Sequence, residues 1–244
     1  MTKPESSEMP PPYAKPVVLN ARQHASLAYT KPPTFNFARS MNSVPVVLGE
    51  IAQLLPHYPI AFSAGKDPVL IAILGARNEE NLFVGADGTW LADTYIPAYV
   101  RRYPFILMKM PDEKMVLAAE MDGEFLGSNG EALFAAERPT RLAQGAFQFC
   151  INFQKEFEAT KLFCAAVQES GLLKNKRSTL TTPSGAKINL TGFAGVDADT
   201  LDDLDNRTAN NFRKQHWLGA LYCHVASLER LQTFPRRLDQ RKAA

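Results

Sequence analysis

The sequence predicts an α+β fold, with a mostly antiparallel sheet in the N-terminal half packed with a helical C-terminal half. Two observations about the order of elements lead to this prediction. Short apolar segments between residues 45 and 135 alternate with Asp-Gly, Pro-Asp and Asn-Gly pairs, which are typical of tight turns. From residue 141 onwards, apolar side chains recur at helical spacing over long segments.

The predicted elements of the N-terminal half are short strands and one short helix. The uninterrupted apolar run of residues 68–76 predicts a buried central strand. Hairpins are expected around Asp87-Gly88 and Asn129-Gly130, because these dipeptides favour two-residue turns. A strand and a helix ending near Pro56 are predicted from residue 44, with further strands near Val17 and at 57–63, 105–110 and 114–121.

The second half is predicted to be helical around one hairpin. Residues 141–170 predict a long helix that Gly171 ends, and Phe149, Phe153 and Phe157 follow one face at i, i+4 and i+8. Residues 178–193 predict a β-hairpin that turns at a Pro-Ser-Gly sequence. Two more helices are expected between residues 196 and 234.

Charge and composition exclude several function classes. The formal net charge is +2, from 27 basic and 25 acidic side chains, and a nucleic-acid partner is not expected at so small an excess. The sequence contains no GxGxxG, Walker or GxSxG motif, so no cofactor is predicted. The three cysteines show no CxxC spacing, which argues against both a disulfide framework and a zinc site.

The domain prediction is a flexible Pro-rich tail at residues 1–16, a single domain at 17–235 and a polar C-terminal tail at 236–244. No Sec signal is visible in the first residues, and no apolar run is long enough for a transmembrane segment. We therefore expect a cytoplasmic protein. Export through a C-terminal signal is an alternative that these observations do not exclude.

No metal site is predicted. The acidic run from Asp197 to Asp205 departs from the EF-hand pattern, since its fifth and sixth places hold Leu201 and Asp202. Helix capping explains these acids better. Among the histidines, His224 is a candidate general base, although a hydrogen-bonded packing role is the simpler interpretation.

The stretch YIPAYVRRYPF, residues 95–105, predicts a short helix. Pro97 suits the first turn of a helix, and Pro104 ends the helix near Tyr103. Tyr95, Tyr99 and Tyr103 are four residues apart and are predicted to lie along one face.

Arg101 and Arg102 follow these tyrosines and can pack their planar guanidinium groups on aromatic rings. One interpretation is structural: the arginines tie the helix to buried acids or carbonyl groups. The other is that Arg101, Arg102, Tyr95, Tyr99 and Tyr103 bind an anionic ligand or the carboxylate of a peptide. Both interpretations predict that the guanidinium groups are held against tyrosine rings.

The order of motifs resembles the bacterial SapC-like family. The resemblance rests on VPVVLGE (44–50), YPIAF (58–62), the long segment from ILGARNEENLFVG to YIPAYVRRYPF (73–105), GEALF (130–134), LTGFAGVDADTLDDL (190–204) and LGALYCHVASLERLQTF (218–234). It implies an association with bacterial surface (S-) layers. It also implies a protein or peptide partner at the cell surface, or in a system of TonB-dependent receptors and halogenase-like proteins.

The resemblance carries over no established catalytic residues. Where the family has an aliphatic-Asp-acid sequence in the middle strand, this chain has LAAEMD (117–122), so Glu120 is the nearest counterpart of that acid. Two hypotheses follow. The protein is a non-enzymatic accessory protein that binds a protein or peptide. Alternatively, it is an enzyme acting on peptides or amino-acid derivatives, with Glu120 or His224 moving protons and the arginines holding a carboxylate.

Overall fold

The computed structural model describes residues 9–31, 34–122 and 125–243, with the backbone alone for 242 and 243. The chain divides into two compact units. The first draws on Met1–Pro33 and Arg102–Asn152, and the second on Thr34–Arg101 and Phe153–Ala244. The expectation that residues 17–235 act as one domain stays a prediction, and each unit is described by itself.

The strands in the described residues are short, apart from the last two. They are β1 (Pro16–Val18), β2 (Ala28–Tyr29), β3 (Ser43–Pro45), β4 (Ile60–Ser63), β5 (Leu70–Ile73), β6 (Phe105–Lys109), β7 (Met115–Glu120), β8 (Leu126–Gly127), β9 (Glu131–Ala132), β10 (Phe134–Ala135), β11 (Arg138–Pro139), β12 (Lys174–Thr181) and β13 (Lys187–Gly195).

The helices lie mostly in the C-terminal half, which confirms the predicted α+β class. They are α1 (Ile51–Leu54), α2 (Ala98–Arg101), α3 (Arg141–Glu169), α4 (Ala198–Asp202), α5 (Asn206–Lys214), α6 (Trp217–Ser227) and α7 (Phe234–Ala243), with 3-10 turns at Asn36–Ala38, Leu48–Glu50 and Leu228–Thr233. The long helix predicted at residues 141–170 is confirmed as α3.

The described residues of the first unit form three small antiparallel sheets, with strand orders β1-β7-β6, β8-β2-β9 and β10-β11. Strands β6 and β7 are the two strands predicted at 105–110 and 114–121. Its core gathers buried side chains from β6, β7 and the N-terminal half of α3, among them Phe105, Ala119 and Cys150, together with Leu133 between β9 and β10. Apolar burial therefore holds β6 and β7 in place.

The hairpin predicted at Asn129-Gly130 is wrong in its pairing. β8 and β9 do not pair with each other, because β2 lies between them and pairs with both. Gly130 has a φ of 115°, and a Cβ there would collide with the carbonyl oxygen of Tyr29. The Asn-Gly signal thus marks a chain reversal whose two arms are joined by a distant strand.

The second unit is built on one five-stranded antiparallel sheet in the order β12-β13-β4-β5-β3. The hairpin predicted at 178–193 is confirmed by β12 and β13. The run at 68–76 forms β5, with Leu70 and Ala72 fully buried. Around Asp87-Gly88 the described chain forms only an isolated bridge between Val84 and Trp90, where we predicted a full hairpin.

The predicted N-terminal tail is corrected for part of its length. Residues 1–8 lie outside the described residues. Tyr13 is buried, and its hydroxyl donates to the carbonyl oxygen of Phe105 at 2.7 Å. Pro16 pairs with Glu120 in the β1–β7 ladder. Composition alone indicated a flexible segment here, but strand pairing and a buried ring hold residues 13–18 in place.

The predicted polar C-terminal tail is also corrected. Its residues belong to α7, where Leu238 is buried. The carboxylate of Asp239 accepts from the backbone and hydroxyl of Ser184, at 2.8 Å each. Arg241 donates to the carbonyl oxygen of Asn81 at 2.8 Å. The buried Phe234 and Leu238 and these polar contacts together attach α7.

Two further findings concern the described residues as a set. None of their helices is long and apolar enough to span a bilayer. The three cysteines are free, with Cys150 and Cys164 buried and Cys223 half-buried. Burial raises the pKa of the Cys150 thiol to about 11 and that of Cys164 to about 12.

Candidate functional site

The segment 95–103 forms a shorter helix than predicted. Helix α2 covers only Ala98–Arg101, one turn, so Tyr95 lies before it and Tyr103 after it. The predicted stripe of three tyrosines along one helical face is therefore wrong. Tyr95 and Tyr99 belong to the second unit, whereas Tyr103 belongs to the first.

The second unit places a buried carboxylate under this segment. Glu50 ends the 3-10 turn Leu48–Glu50 and is only 4% exposed. Its Oε1 accepts from the backbone N–H of Val47 at 3.1 Å. Its Oε2 accepts from the backbone N–H of Ala98 at 2.9 Å and from the hydroxyl of Tyr95 at 3.1 Å. Glu50 therefore fixes the start of α2.

Arg101 completes this arrangement. Its Nη2 donates to the hydroxyl oxygen of Tyr95 at 2.7 Å, and its Nε donates to the carbonyl oxygen of Ile96 at 2.9 Å. The guanidinium carbon lies 5.2 Å from the centre of the Tyr95 ring. The hydroxyl of Tyr95 thus accepts from Arg101 and donates to Glu50, linking an exposed cation to a buried anion.

Burial dominates the electrostatics of this site. It raises the pKa of Glu50, while hydrogen bonds from Ala98, Val47 and Tyr95 and the charge of Arg101 act in the opposite direction. The pKa of the Tyr95 phenol is also raised, first by burial and then by the nearby Glu50. Tyr95 is accordingly a neutral hydrogen-bonding bridge at pH 7.

In the first unit, Arg102 and Tyr103 both contact Tyr13. The guanidinium carbon of Arg102 lies 5.3 Å from the centre of the Tyr13 ring, and the rings of Tyr13 and Tyr103 are 5.5 Å apart. Tyr103 also packs edge-on against Phe125, at 5.4 Å. Both Arg102 and Tyr103 are buried. The predicted contact of each arginine with a tyrosine ring is therefore present, although Arg102 uses Tyr13.

Glu120 is the other buried carboxylate among the candidates, with 3% of its surface exposed. Its Oε2 accepts from the backbone N–H groups of Ala14 and Lys15, at 2.6 and 2.9 Å. Among the described residues, nothing donates a hydrogen bond to its Oε1. Glu120 thus holds the segment that leads into β1.

His224 is fully buried on α6, and both ring nitrogens face backbone groups. Nδ1 lies 2.7 Å from the carbonyl oxygen of Ile60, and Nε2 accepts from the backbone N–H of Val196 at 3.0 Å. This pattern requires the neutral tautomer with hydrogen on Nδ1. Burial lowers the pKa of His224 to about 4. Proton transfer by His224 would have to break one of these hydrogen bonds.

The structure therefore gathers four of the predicted residues in two groups. Tyr95 and Arg101 meet at Glu50 in the second unit, and Arg102 and Tyr103 meet at Tyr13 in the first. Clefts of about 880, 530 and 500 Å³ open on the second unit, and none of these three is lined by a predicted site residue. Catalysis by Glu120 or His224 stays a prediction.

No group of three or more potential metal ligands is found in the described part of the chain. The acidic run takes structural roles. Asp205 caps α5 by accepting from Arg207 and Thr208, at 2.9 and 3.1 Å, as predicted. Asp197 instead pairs with Lys174 and Lys176.

Sequence reasoning missed Glu50. The available signal was its position, since it is the one charged residue in the stretch from residue 44 to 55, in which Gln53 is the other polar side chain. A charged side chain inside such a stretch must be exposed or paired.

Comparison with known proteins gives one positive result. The family model for SapC matches residues 19–234. The chain belongs to the SapC family. Neither the comparison with curated proteins nor that with solved structures found a match. The SapC match covers Glu50, Glu120 and the whole segment 95–105, whereas Tyr13 and β1 precede its first residue.

Proposed function

We propose that this SapC-family protein is a non-enzymatic accessory protein that supports a bacterial surface-layer or outer-membrane uptake system by binding a protein or peptide. The observation that carries the proposal is in the first unit. There, residues 13–19, which include the strand Pro16–Val18, are held by groups that lie within the family match.

Three kinds of contact hold this segment. The backbone of β1 pairs with β7 from Pro16 to Val18, and the N–H of Leu19 donates to the carbonyl oxygen of Leu117 at 2.9 Å. The carboxylate of Glu120 accepts the two amides before the strand. Tyr13 inserts its ring beside Arg102 and Tyr103.

These contacts are of the kind that bind peptides by strand addition. The main-chain hydrogen bonds supply affinity that depends little on sequence, and an anchored side chain supplies selectivity. Of the five side chains predicted to bind a ligand, Arg102 and Tyr103 therefore already contact a peptide segment, which is the chain's own. A partner strand with an aromatic residue could replace it on β7.

Binding is favoured over catalysis by the engagement of the candidate acid and base. Both nitrogens of His224 face backbone groups, and Glu120 uses one oxygen to hold two amides. An enzyme that uses these side chains would have to release those contacts first. No observation specifically favours the alternative, an enzyme acting on peptides or amino-acid derivatives.

The test uses the full chain and a fluorescent synthetic peptide with the sequence of residues 10–19. Tyr13→Ala should weaken the attachment of the chain's own segment to β7. The variant should therefore bind the added peptide more tightly than the wild type does. The double variant Tyr13→Ala/Glu120→Ala should bind the peptide about tenfold or more weakly than Tyr13→Ala alone, because two peptide amides lose a charged acceptor. Fluorescence anisotropy measures both effects.

The matched control is Tyr222→Ala, since Tyr222 is an exposed tyrosine of the second unit. It should leave peptide binding at the wild-type level.

The same peptide should displace an envelope protein that the tagged full chain retains from an extract of the source cells. The proposal is abandoned if the peptide does not bind Tyr13→Ala, or if it displaces nothing.

We also propose a cytoplasmic location, where such an accessory protein would meet its partner before export. Fractionation of the source cells, followed by immunoblotting, should find the protein in the cytoplasmic fraction. Recovery mainly with the outer membrane would contradict this location.

A further inference from the structure

Arg237, on α7 of the second unit, lies against an aromatic cluster. Its guanidinium carbon is 4.2 Å from the centre of the Phe83 ring, which is fully buried. Phe83 in turn contacts Tyr58 at 4.4 Å and Trp90 at 6.3 Å between ring centres. Sequence reasoning placed Arg237 in a solvated tail, but its charge is half-buried on a phenyl face.

The guanidinium group of Arg237 lacks a hydrogen-bond acceptor among the described residues. Among the described residues, no oxygen accepts a hydrogen bond from its guanidinium group, and its Nη1 is fully buried. Arg241, one turn further along α7, shows the contrast: it donates to the carbonyl oxygens of Asn81 and Val84, at 2.8 and 3.4 Å. A half-buried guanidinium without an acceptor has a large cost in free energy unless an acceptor comes from outside.

Neighbouring oxygens are already engaged. The hydroxyl of Tyr58 donates to the carbonyl oxygen of Tyr95 and accepts from Nε1 of Trp90 at 3.1 Å. Burial raises the pKa of Tyr58 to about 12, so this phenol does not supply a negative charge at pH 7. Among the described residues, no carboxylate forms an ion pair with Arg237.

Positive charges act on His57, and the carboxylate of Glu50 acts on Tyr58. The pKa of His57 is lowered first by burial and then by the positive charges of Arg237 and Arg230. Two guanidinium groups and an imidazole therefore lie near one another, whereas the oxygens of Glu50 already accept hydrogen bonds within their own site. Such an arrangement favours the binding of an anion.

We infer that Arg237, with Arg230 and His57 beside it, forms a binding site for a small oxyanion, a carboxylate or a phosphate group. The guanidinium carbon lies over the Phe83 ring. Because Nη1 is buried, Nε and Nη2 are the two donors left for parallel hydrogen bonds to such a group. This site is separate from the proposed peptide site of the first unit and does not depend on it.

The experiment titrates the full-length chain with sodium acetate and, in a second arm, with sodium phosphate, each against sodium chloride at equal ionic strength. Calorimetry gives the affinity. Binding should also raise the pKa of His57, measured by NMR, because an anion beside the imidazole favours its protonated form. Tighter binding of acetate indicates a carboxylate ligand, and tighter binding of phosphate indicates a phosphate ligand.

Arg237→Gln should weaken the binding of either anion by about tenfold or more, because the variant lacks the charged guanidinium group that donates two parallel hydrogen bonds. The matched control is Arg236→Gln, since Arg236 is the exposed neighbour on the same helix. It should bind like the wild type.

Should Arg237→Gln fail to fold, Arg237→Lys keeps the charge but loses the paired donors, and it should bind more weakly than the wild type. The inference is overturned if neither anion binds more tightly than chloride. It is equally overturned if a folded Arg237→Gln binds as the wild type does.

Discussion

The two compact units differ in how their buried candidate acids and bases are hydrogen-bonded. In the second unit, both oxygens of Glu50 and both nitrogens of His224 are hydrogen-bonded within that unit. In the first unit, one oxygen of Glu120 accepts from the N-terminal segment, and the other has no donor among the described residues. A fully satisfied group mainly stabilises one conformation, whereas a partly satisfied one is better suited to exchange partners.

The largest expected effect is that of Glu50→Ala. The change removes a buried charged acceptor and leaves the backbone N–H groups of Val47 and Ala98 without it, so the free energy of unfolding should fall by about 4 kcal/mol. Urea denaturation of the full chain measures the loss. Glu158→Ala, which removes an exposed ion pair with Lys161, should change stability by less than about 0.5 kcal/mol. Equal effects of the two variants would contradict the structural role of Glu50.

A second prediction concerns acid sensitivity. The folded pKa of His224 is about 4, against an ordinary 6.5, so the unfolded state binds the proton first as the pH falls. His224 therefore contributes stability above pH 6.5 that is lost as the pH falls to 4, about 3 kcal/mol in all.

Urea denaturation across that pH range tests this contribution. His224→Asn should flatten the pH dependence of stability, although the variant is less stable at pH 7. His216→Asn, at an exposed histidine, should keep the wild-type dependence. An unchanged dependence in His224→Asn would show that other groups cause the acid sensitivity.

Glu120→Ala should have a smaller and more local effect than Glu50→Ala, because Glu120 mainly holds one segment. We expect a loss of about 2 kcal/mol. Hydrogen exchange at the amides of Ala14, Lys15 and Leu19 should accelerate, while exchange in β12 and β13 should stay at the wild-type rate. Acceleration in both units alike would remove the distinction between the two carboxylates.

The smallest effect is expected for Tyr95→Phe. The ring and its burial remain, but the hydroxyl that joins Arg101 to Glu50 is lost, and stability should fall by about 1 kcal/mol. Thermal denaturation measures the change. Tyr222→Phe, at an exposed tyrosine, should leave the melting temperature unchanged. A larger loss than that of Glu50→Ala would place the hydroxyl, and not the carboxylate, at the centre of the site.

The parts of the fold that could be predicted are those whose signal is local. Helix α3 and the β12–β13 hairpin follow from periodicity and turn residues within one segment. The strand β2, which separates β8 from β9, comes from about a hundred residues earlier in the chain, and no local pattern announces such a partner. Pairing between distant strands is decided by packing, which the sequence does not display directly.

The candidate site was predictable to a similar degree. Stacking of Arg101 and Arg102 on tyrosine rings follows from residue types, but the choice of Tyr13 for Arg102 does not. Glu50 and Arg237 were missed because their partners are distant in sequence. On α7, the spacing of Phe234, Arg237, Leu238 and Arg241 at i, i+3, i+4 and i+7 was a usable signal for a helix face. Its polar composition hid that signal.

The burial of two of the three cysteines has a practical consequence. Thiols with a pKa of about 11 and about 12 hold almost no thiolate at neutral pH, and the thiolate is the species that reacts. A maleimide dye added to the native protein should therefore attach at Cys223 and spare the other two. The wild-type chain thus offers a single attachment point on α6 for a fluorophore or spin label, without any engineered substitution.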